Sequence, residues 1–158
     1  MEVHNIEPVY DENSRVLILG SFPSVKSREQ VFFYAHPQNR FWKVMSCLLN
    51  ETLPLTIAEK KEMLIKHNIA VWDVIKECSI QGSSDSSIEN VVPNDLERIL
   101  NSADIKKIFI NGEKAFKLYK KYCGNISINA IKLPSTSPAN ARYSLERLCN
   151  EWKIILEP

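Results

Sequence analysis

Apolar residues first gather at residues 16–19, VLIL, closed by Gly20. Four in a row, two of them β-branched, predict a strand buried on both faces. The polar residues 1–15 before it predict a coil packed over the sheet. A tight turn at residues 21–24 (SFPS) and a polar run follow. Across residues 38–49, Phe41, Trp42, Met45, Leu48 and Leu49 recur at helical spacing. Thr56 and Glu59 form the T-x-x-E pattern of a capping box, which predicts a second helix ending at Asn68. Residues 69–74 (IAVWDV) predict a second strand, with Asp73 near its C-terminal end. Residues 81–87 (QGSSDSS) are a loop by composition. Asn94 and Glu97 suggest another capping box, opening a helix with Leu96, Ile99 and Leu100 inward. Residues 105–110 predict a third strand. Asn111 and Gly112 then turn the chain into a helix with Phe116, Tyr119 and Cys123 on one side, ended by Gly124. Residues 126–133 predict a fourth strand, whose partial alternation suits a sheet edge. After the tight loop at residues 133–142 (LPSTSPANAR), a last helix turns Leu145, Leu148, Cys149, Trp152 and Ile155 inward.

Strands alternate with helices four times, which predicts a parallel sheet covered on both faces, a three-layer α/β/α sandwich. In such a sheet a ligand binds beyond the C-terminal strand ends, where the strand order reverses. Residues 20–24, Asp73, 83–85, Asn111 and 135–140 fall at that edge, and they include most of the unusual polar positions. The length of 158 residues fits one domain spanning residues 1–158. The net charge of +1 leaves no broad basic tail, so a nucleic-acid partner requires a local positive patch. Cys47, Cys78, Cys123 and Cys149 are scattered with no C-x-x-C pair, which argues against zinc or an iron–sulfur cluster. Buried, reduced thiols and no metal are expected. No signal pattern opens the chain and no apolar run approaches the ~20 residues of a membrane span, so a cytoplasmic protein without a membrane partner is expected.

Chemistry concentrates after the first strand. Phe32, Phe33, Tyr34, His36, Pro37, Asn39, Phe41 and Trp42 crowd together. Rings beside a primary amide suit a flat polar ligand such as a nucleobase. Plainer roles stand beside this one. Asn39 can cap the first helix, His36 can be a turn residue bonded to backbone, and Asp73 and Asp85 can be cap or loop residues. At least two of Phe32, Phe33, Phe41 and Trp42 are expected in the core.

Taken in order, GSFPS (20–24), YAHPQNRFW (34–42), VWDV (71–74), GSSDSSI (82–88) and LPSTSPANA (133–141) resemble the uracil-DNA glycosylase superfamily, in its hypoxanthine-DNA glycosylase branch. That resemblance implies a four-stranded parallel sheet of order 2-1-3-4. It implies a monofunctional hydrolase that releases a deaminated base from DNA, hypoxanthine favoured, with no cofactor and as a monomer. It makes Asn39 the catalytic amide. It assigns Gly20, Ser21, Phe22, Pro23, Ser24, Phe33, Tyr34, His36, Asp73 and Asp85 to the base pocket. Ser135, Thr136, Ser137, Pro138, Asn140 and Arg142 would contact DNA at the flipped nucleotide. The chain also departs from relatives in the family. Phe22 and Pro23 stand where uracil-specific members carry an acid or amide, and Ser135 and Thr136 where many carry a histidine. A uracil or mismatch glycosylase, and a module that binds without hydrolysing, are the competing readings. A lyase reaction is not expected, because only Lys26 and Lys132 lie at the margins of the two loops.

Breaking an N-glycosidic bond builds positive charge on the sugar and negative charge on the base. Donors aimed at the base are therefore required. Backbone N–H groups at residues 21–24 can serve. Asn39 can orient a water through its carbonyl or bond the base directly.

Overall fold

A computed structural model describes residues 1–157. The chain opens with the two-residue strand β1 (Glu2–Val3), and β2 (Val16–Gly20) follows. The polar run forms a short helix, α1 (Val25–Gln30), capped by the Ser24 hydroxyl on the Ser27 amide. Helix α2 (Phe41–Leu49) starts later than its apolar spacing predicts, because residues 38–40 lie in the turn before it. Helix α3 (Ile57–Lys66) carries the predicted capping box: Thr56 Oγ1 accepts from Glu59 N (3.1 Å) and Glu59 Oε1 from Thr56 N (3.0 Å). Asn68 just beyond it is left-handed, φ 60°, as expected.

Strand β3 (Ile69–Asp73) is followed by β4 (Ile75–Ser79) and β5 (Glu89–Pro93), then the one-turn helix α4 (Glu97–Leu100). Strand β6 (Lys107–Asn111), helix α5 (Glu113–Cys123), strand β7 (Ala130–Leu133) and helix α6 (Leu145–Trp152) follow, with a short 3-10 turn at Lys153–Leu156. The four parallel strands run β3-β2-β6-β7, which is the expected order 2-1-3-4 with the last strand at an edge. Leu17, Ile18, Leu19, Ala70, Val71, Ile108, Phe109 and Ile110 are wholly buried, as strands covered on both faces require.

Four elements differ from the sequence expectation. Strands β1, β4 and β5 form a small antiparallel sheet, so part of the supposed coil at residues 1–15 is strand. Their short, polar, bulged sequences carry no apolar run to announce them. Helix α1 was hidden by an equally polar run. Asn94 does not cap α4. It is buried and donates to Asp73 O and Ile75 O, both at 3.0 Å, while Asp95 Oδ1 accepts from Glu97 N (3.1 Å). Leu145, expected inward, is exposed, and Phe116 is only half-buried. Among the thiols, Cys78 and Cys123 are buried, but Cys149 is half-buried and Cys47 exposed. All four of Phe32, Phe33, Phe41 and Trp42 are buried.

Candidate active site

A cleft of about 290 Å³ opens beyond the C-terminal ends of the parallel strands. Its wall begins with Gly20, where β2 ends beside Asp73 of β3. A methyl group on Gly20 would stand 2.5 Å from Asp73 Oδ1 and 3.0 Å from the Tyr34 hydroxyl, so only glycine leaves room for both. Ser21, Phe22, Pro23 and Ser24 continue the wall as the chain turns into α1. The α1 end also grips the 81–87 loop. Ser83 Oγ accepts from Val25 N (2.9 Å), and Arg28 Nη2 donates to Gly82 O (2.7 Å). This brings Asp85 to the mouth of the cleft, where Ser21 Oγ donates to its Oδ1 at 3.1 Å. Neighbouring protein crowds that carboxyl and pushes its pKa up. The Ser21 bond works against this shift, and the charge of Asp73 adds to it.

Tyr34 and His36 come from the turn that enters α2. Tyr34 holds φ 52°, a left-handed conformation unusual for a bulky residue, and its ring stacks on Phe41 at 4.1 Å. Its hydroxyl is buried without a hydrogen-bond partner; burial, then the Asp73 charge, raise its pKa well above the ordinary phenol value. His36 Nδ1 accepts from Gln38 N (3.1 Å), which is the turn role. His36 nevertheless lines the cleft, as does the buried Phe33.

Asn39 makes two hydrogen bonds through one oxygen. Its Oδ1 accepts the amide of Phe41 (2.9 Å), capping the start of α2. The same oxygen accepts from Thr136 Oγ1 (2.9 Å), across 97 residues of chain. A backbone N–H can only donate, so the orientation of the carboxamide is fixed by chemistry, and Nδ2 is the nitrogen left free. It has no hydrogen bond among the described residues.

Thr136, expected to touch DNA, is instead wholly buried. Asn111, at the end of β6, brackets it: Thr136 N donates to Asn111 Oδ1 and Asn111 Nδ2 to Thr136 Oγ1, both at 3.0 Å. A relay thus runs from strand end to loop threonine to Asn39. Ser135, Ser137 and Pro138 line the cleft beside it. Asn140 does not reach the cleft lining; its Nδ2 closes the loop on Ser135 O (3.0 Å). Arg142 lies exposed on the same loop, outside the lining.

Sequence reasoning passed over three residues. Arg40, next to Asn39, hooks the loop: its guanidinium donates to the carbonyls of Ser137 (2.9 Å), Asn140 (3.0 Å) and Tyr143. Ser27 is buried under the first turn and accepts from Ala35 N (3.0 Å). His4 reaches Asp73 from 69 residues away. Arg40 lies within the YAHPQNRFW stretch, directly after Asn39. Nothing local marks His4.

A cleft at the switch point of a β3-β2-β6-β7 sheet, walled by the 20–24 and 133–142 loops with an amide between them, defines a class. The chain belongs to the uracil DNA glycosylase superfamily, whose family model matches residues 7–157. Within that class it is similar to two relatives named hypoxanthine DNA glycosylase. The one from Methanosarcina acetivorans is 37% identical over 149 residues, 93% of each chain. The one from Methanosarcina barkeri is 30% identical over 154 residues, 96% of each. An NMR solution structure from M. acetivorans, assigned by name to the uracil DNA glycosylases, superposes with a TM-score of 0.79. It is 34% identical, and the match covers 94% of this chain and 92% of that one.

Proposed function

We propose that the chain is a monofunctional DNA glycosylase. It hydrolyses the bond between deoxyribose and a deaminated base, hypoxanthine favoured, and leaves an abasic site. Its partner is damaged DNA, its working unit a single chain, and its setting the cytoplasm. The observation that carries this reading is the Thr136–Asn39 bond of 2.9 Å, which joins the ring-rich stretch and the serine-proline loop at one hollow. The names of the two Methanosarcina relatives support hypoxanthine as the base.

The hydrogen bonds of Asn39 bear on its role. Both lone pairs of Oδ1 are engaged, by Phe41 N and Thr136 Oγ1. The carbonyl is therefore poorly placed to orient a water. The free Nδ2 is a donor, and a donor on the base side strengthens as negative charge builds there in the transition state. Hypoxanthine offers O6 and N7 as acceptors. Backbone N–H groups at residues 21–24 can add to the same field. The base must leave the duplex to enter a cleft of this depth, and a mispaired lesion does so at lower cost. Pro138 and Arg142, exposed on the loop, then face the strand it left, with the half-buried Ser137 beside them.

The test is a set of duplexes carrying one deoxyinosine, one uracil or a G·T mismatch, with abasic sites read by alkaline cleavage. Product from deoxyinosine alone supports the reading. Product from uracil alone moves the activity to uracil. Binding without product from any duplex makes the cleft a non-catalytic one.

A further inference from the structure

The cleft floor holds a buried pair that this chemistry does not use. His4 Nε2 lies 2.7 Å from Asp73 Oδ2, and the two side chains are 2% and 5% exposed. His4 Nδ1 accepts the amide N–H of Ile6 at 3.3 Å. A ring nitrogen that accepts carries no proton, so the neutral imidazole bears its proton on Nε2 and donates it to Asp73. Phe22, Phe33 and Trp72 cage the imidazole, with ring centroids 6.0, 6.1 and 6.4 Å away. The His4 backbone is itself tied down, its N–H donating to Lys76 O at 2.7 Å next to the β1–β4 pairing.

This leaves Asp73 with one engaged oxygen and one free. Asp73 lines the cleft, and Oδ1 makes no hydrogen bond among the described residues. An ionised carboxylate oxygen accepts and cannot donate. Deamination inverts two positions of a purine edge: the 6-amino donor of adenine becomes the O6 acceptor, and N1, which accepts in adenine, carries a donating N1–H in hypoxanthine. We propose that His4 is a positioning residue for base selection: by holding Oδ2 it presents Oδ1 as a fixed acceptor to the ring N–H that deamination creates. The inference rests on the glycosylase reading of the same cleft. Adenine in that position would set its N1 lone pair against the carboxylate with no proton between them. Without His4 the carboxylate is free to turn, and Oδ1 is no longer held toward the cleft as a fixed acceptor.

The experiment measures binding, apart from hydrolysis. Duplexes carry 2′-fluorinated deoxyinosine or deoxyadenosine, which resist cleavage, opposite an abasic analogue so that neither base gives up a pairing partner. The parent protein should prefer inosine by roughly 10²-fold, and His4→Ala should cut that preference by about tenfold or more. His4→Gln, whose amide still donates to Oδ2, should keep most of it. Thermal melting reports whether each variant folds. If His4→Ala does not fold, the near-isosteric Asp73→Asn carries the test, since its amide can present either an oxygen or an NH₂ group and should lose the preference. A folded His4→Ala or Asp73→Asn that keeps the preference overturns the inference, and so does a folded His4→Gln that loses it. A parent that binds inosine selectively yet releases no hypoxanthine overturns the glycosylase reading alone. A parent that cleaves deoxyinosine with a preference indifferent to His4 overturns this inference alone.

Discussion

Replacing Thr136 by valine tests whether the relay behind Asn39 matters for chemistry. The two side chains have nearly the same shape, so the perturbation is the loss of one hydroxyl at a site with no exposed surface. That hydroxyl donates to Asn39 Oδ1 at 2.9 Å and accepts from Asn111 Nδ2 at 3.0 Å. Both bonds disappear together, and Asn111 Nδ2 is stranded. Stranding a partly buried polar group costs about 1–3 kcal/mol. For a domain of this size each kcal/mol lowers Tm by roughly 2–4 °C. The Phe41 amide still holds Asn39, so the carboxamide stays in the cleft but gains freedom to swing. Lost alignment of this kind should lower the single-turnover rate on deoxyinosine by about tenfold, with duplex affinity little changed. The decisive measurement is the same substitution made in an Asn39→Ala background. If Thr136 acts through Asn39, valine costs no further rate there. A rate that is unchanged in the parent, or that falls equally in both backgrounds, refutes the relay and leaves Thr136 a packing residue.

Four further outcomes are expected. Asn39→Ala should slow single-turnover release by on the order of 10²-fold. It should also cost about 1 kcal/mol of stability, because the Phe41 amide loses its cap, so melting must accompany the kinetics. Arg40→Lys keeps a charge but cannot span three carbonyls; it should loosen the 133–142 loop, seen as faster amide hydrogen exchange there, and weaken duplex binding. Arg142→Ala should weaken binding to duplex more than to single strands, and equal losses would show that this loop does not contact the duplex at the flipped nucleotide. Asp85 has a raised folded pKa, so its ionised form disfavours the folded state and the penalty grows as pH rises through the carboxylate range. Asp85→Asn should therefore raise Tm relative to the parent at neutral pH and lose that advantage in acid below that range.

The parallel sheet was legible because its strands are short apolar runs between helical periods, as at residues 16–19. The edge strand was placed too long: β7 begins only at Ala130, so the alternation at Ile126 and Ile128 falls in the connection before it, whereas α3 was legible from its capping box. The antiparallel sheet was not. Strand β4 buries only Ile75 and Cys78, its register to β5 shifts twice, and β5 is largely exposed, so neither strand has a pattern of its own. Most of the cleft could be placed because its residues sit at strand ends, which the βα alternation locates. What escaped was the partnership between side chains. Sequence gives the place of Thr136 on a loop but not the inward turn of its hydroxyl, which Asn111 imposes. His4 escaped more completely, because a contact across 69 residues has no local trace.

The grip of Arg40 has a thermodynamic consequence. The 133–142 loop contains no helix and only the end of a strand, yet two of its carbonyls, and that of Tyr143 just beyond it, are fastened to one guanidinium, and its base to Trp152 Nε1 through Pro134 O at 2.8 Å. Such a segment is ordered before it meets any partner. Association then requires little new confinement of the backbone, and the entropy lost on binding should come from the nucleic acid, which is the molecule that deforms.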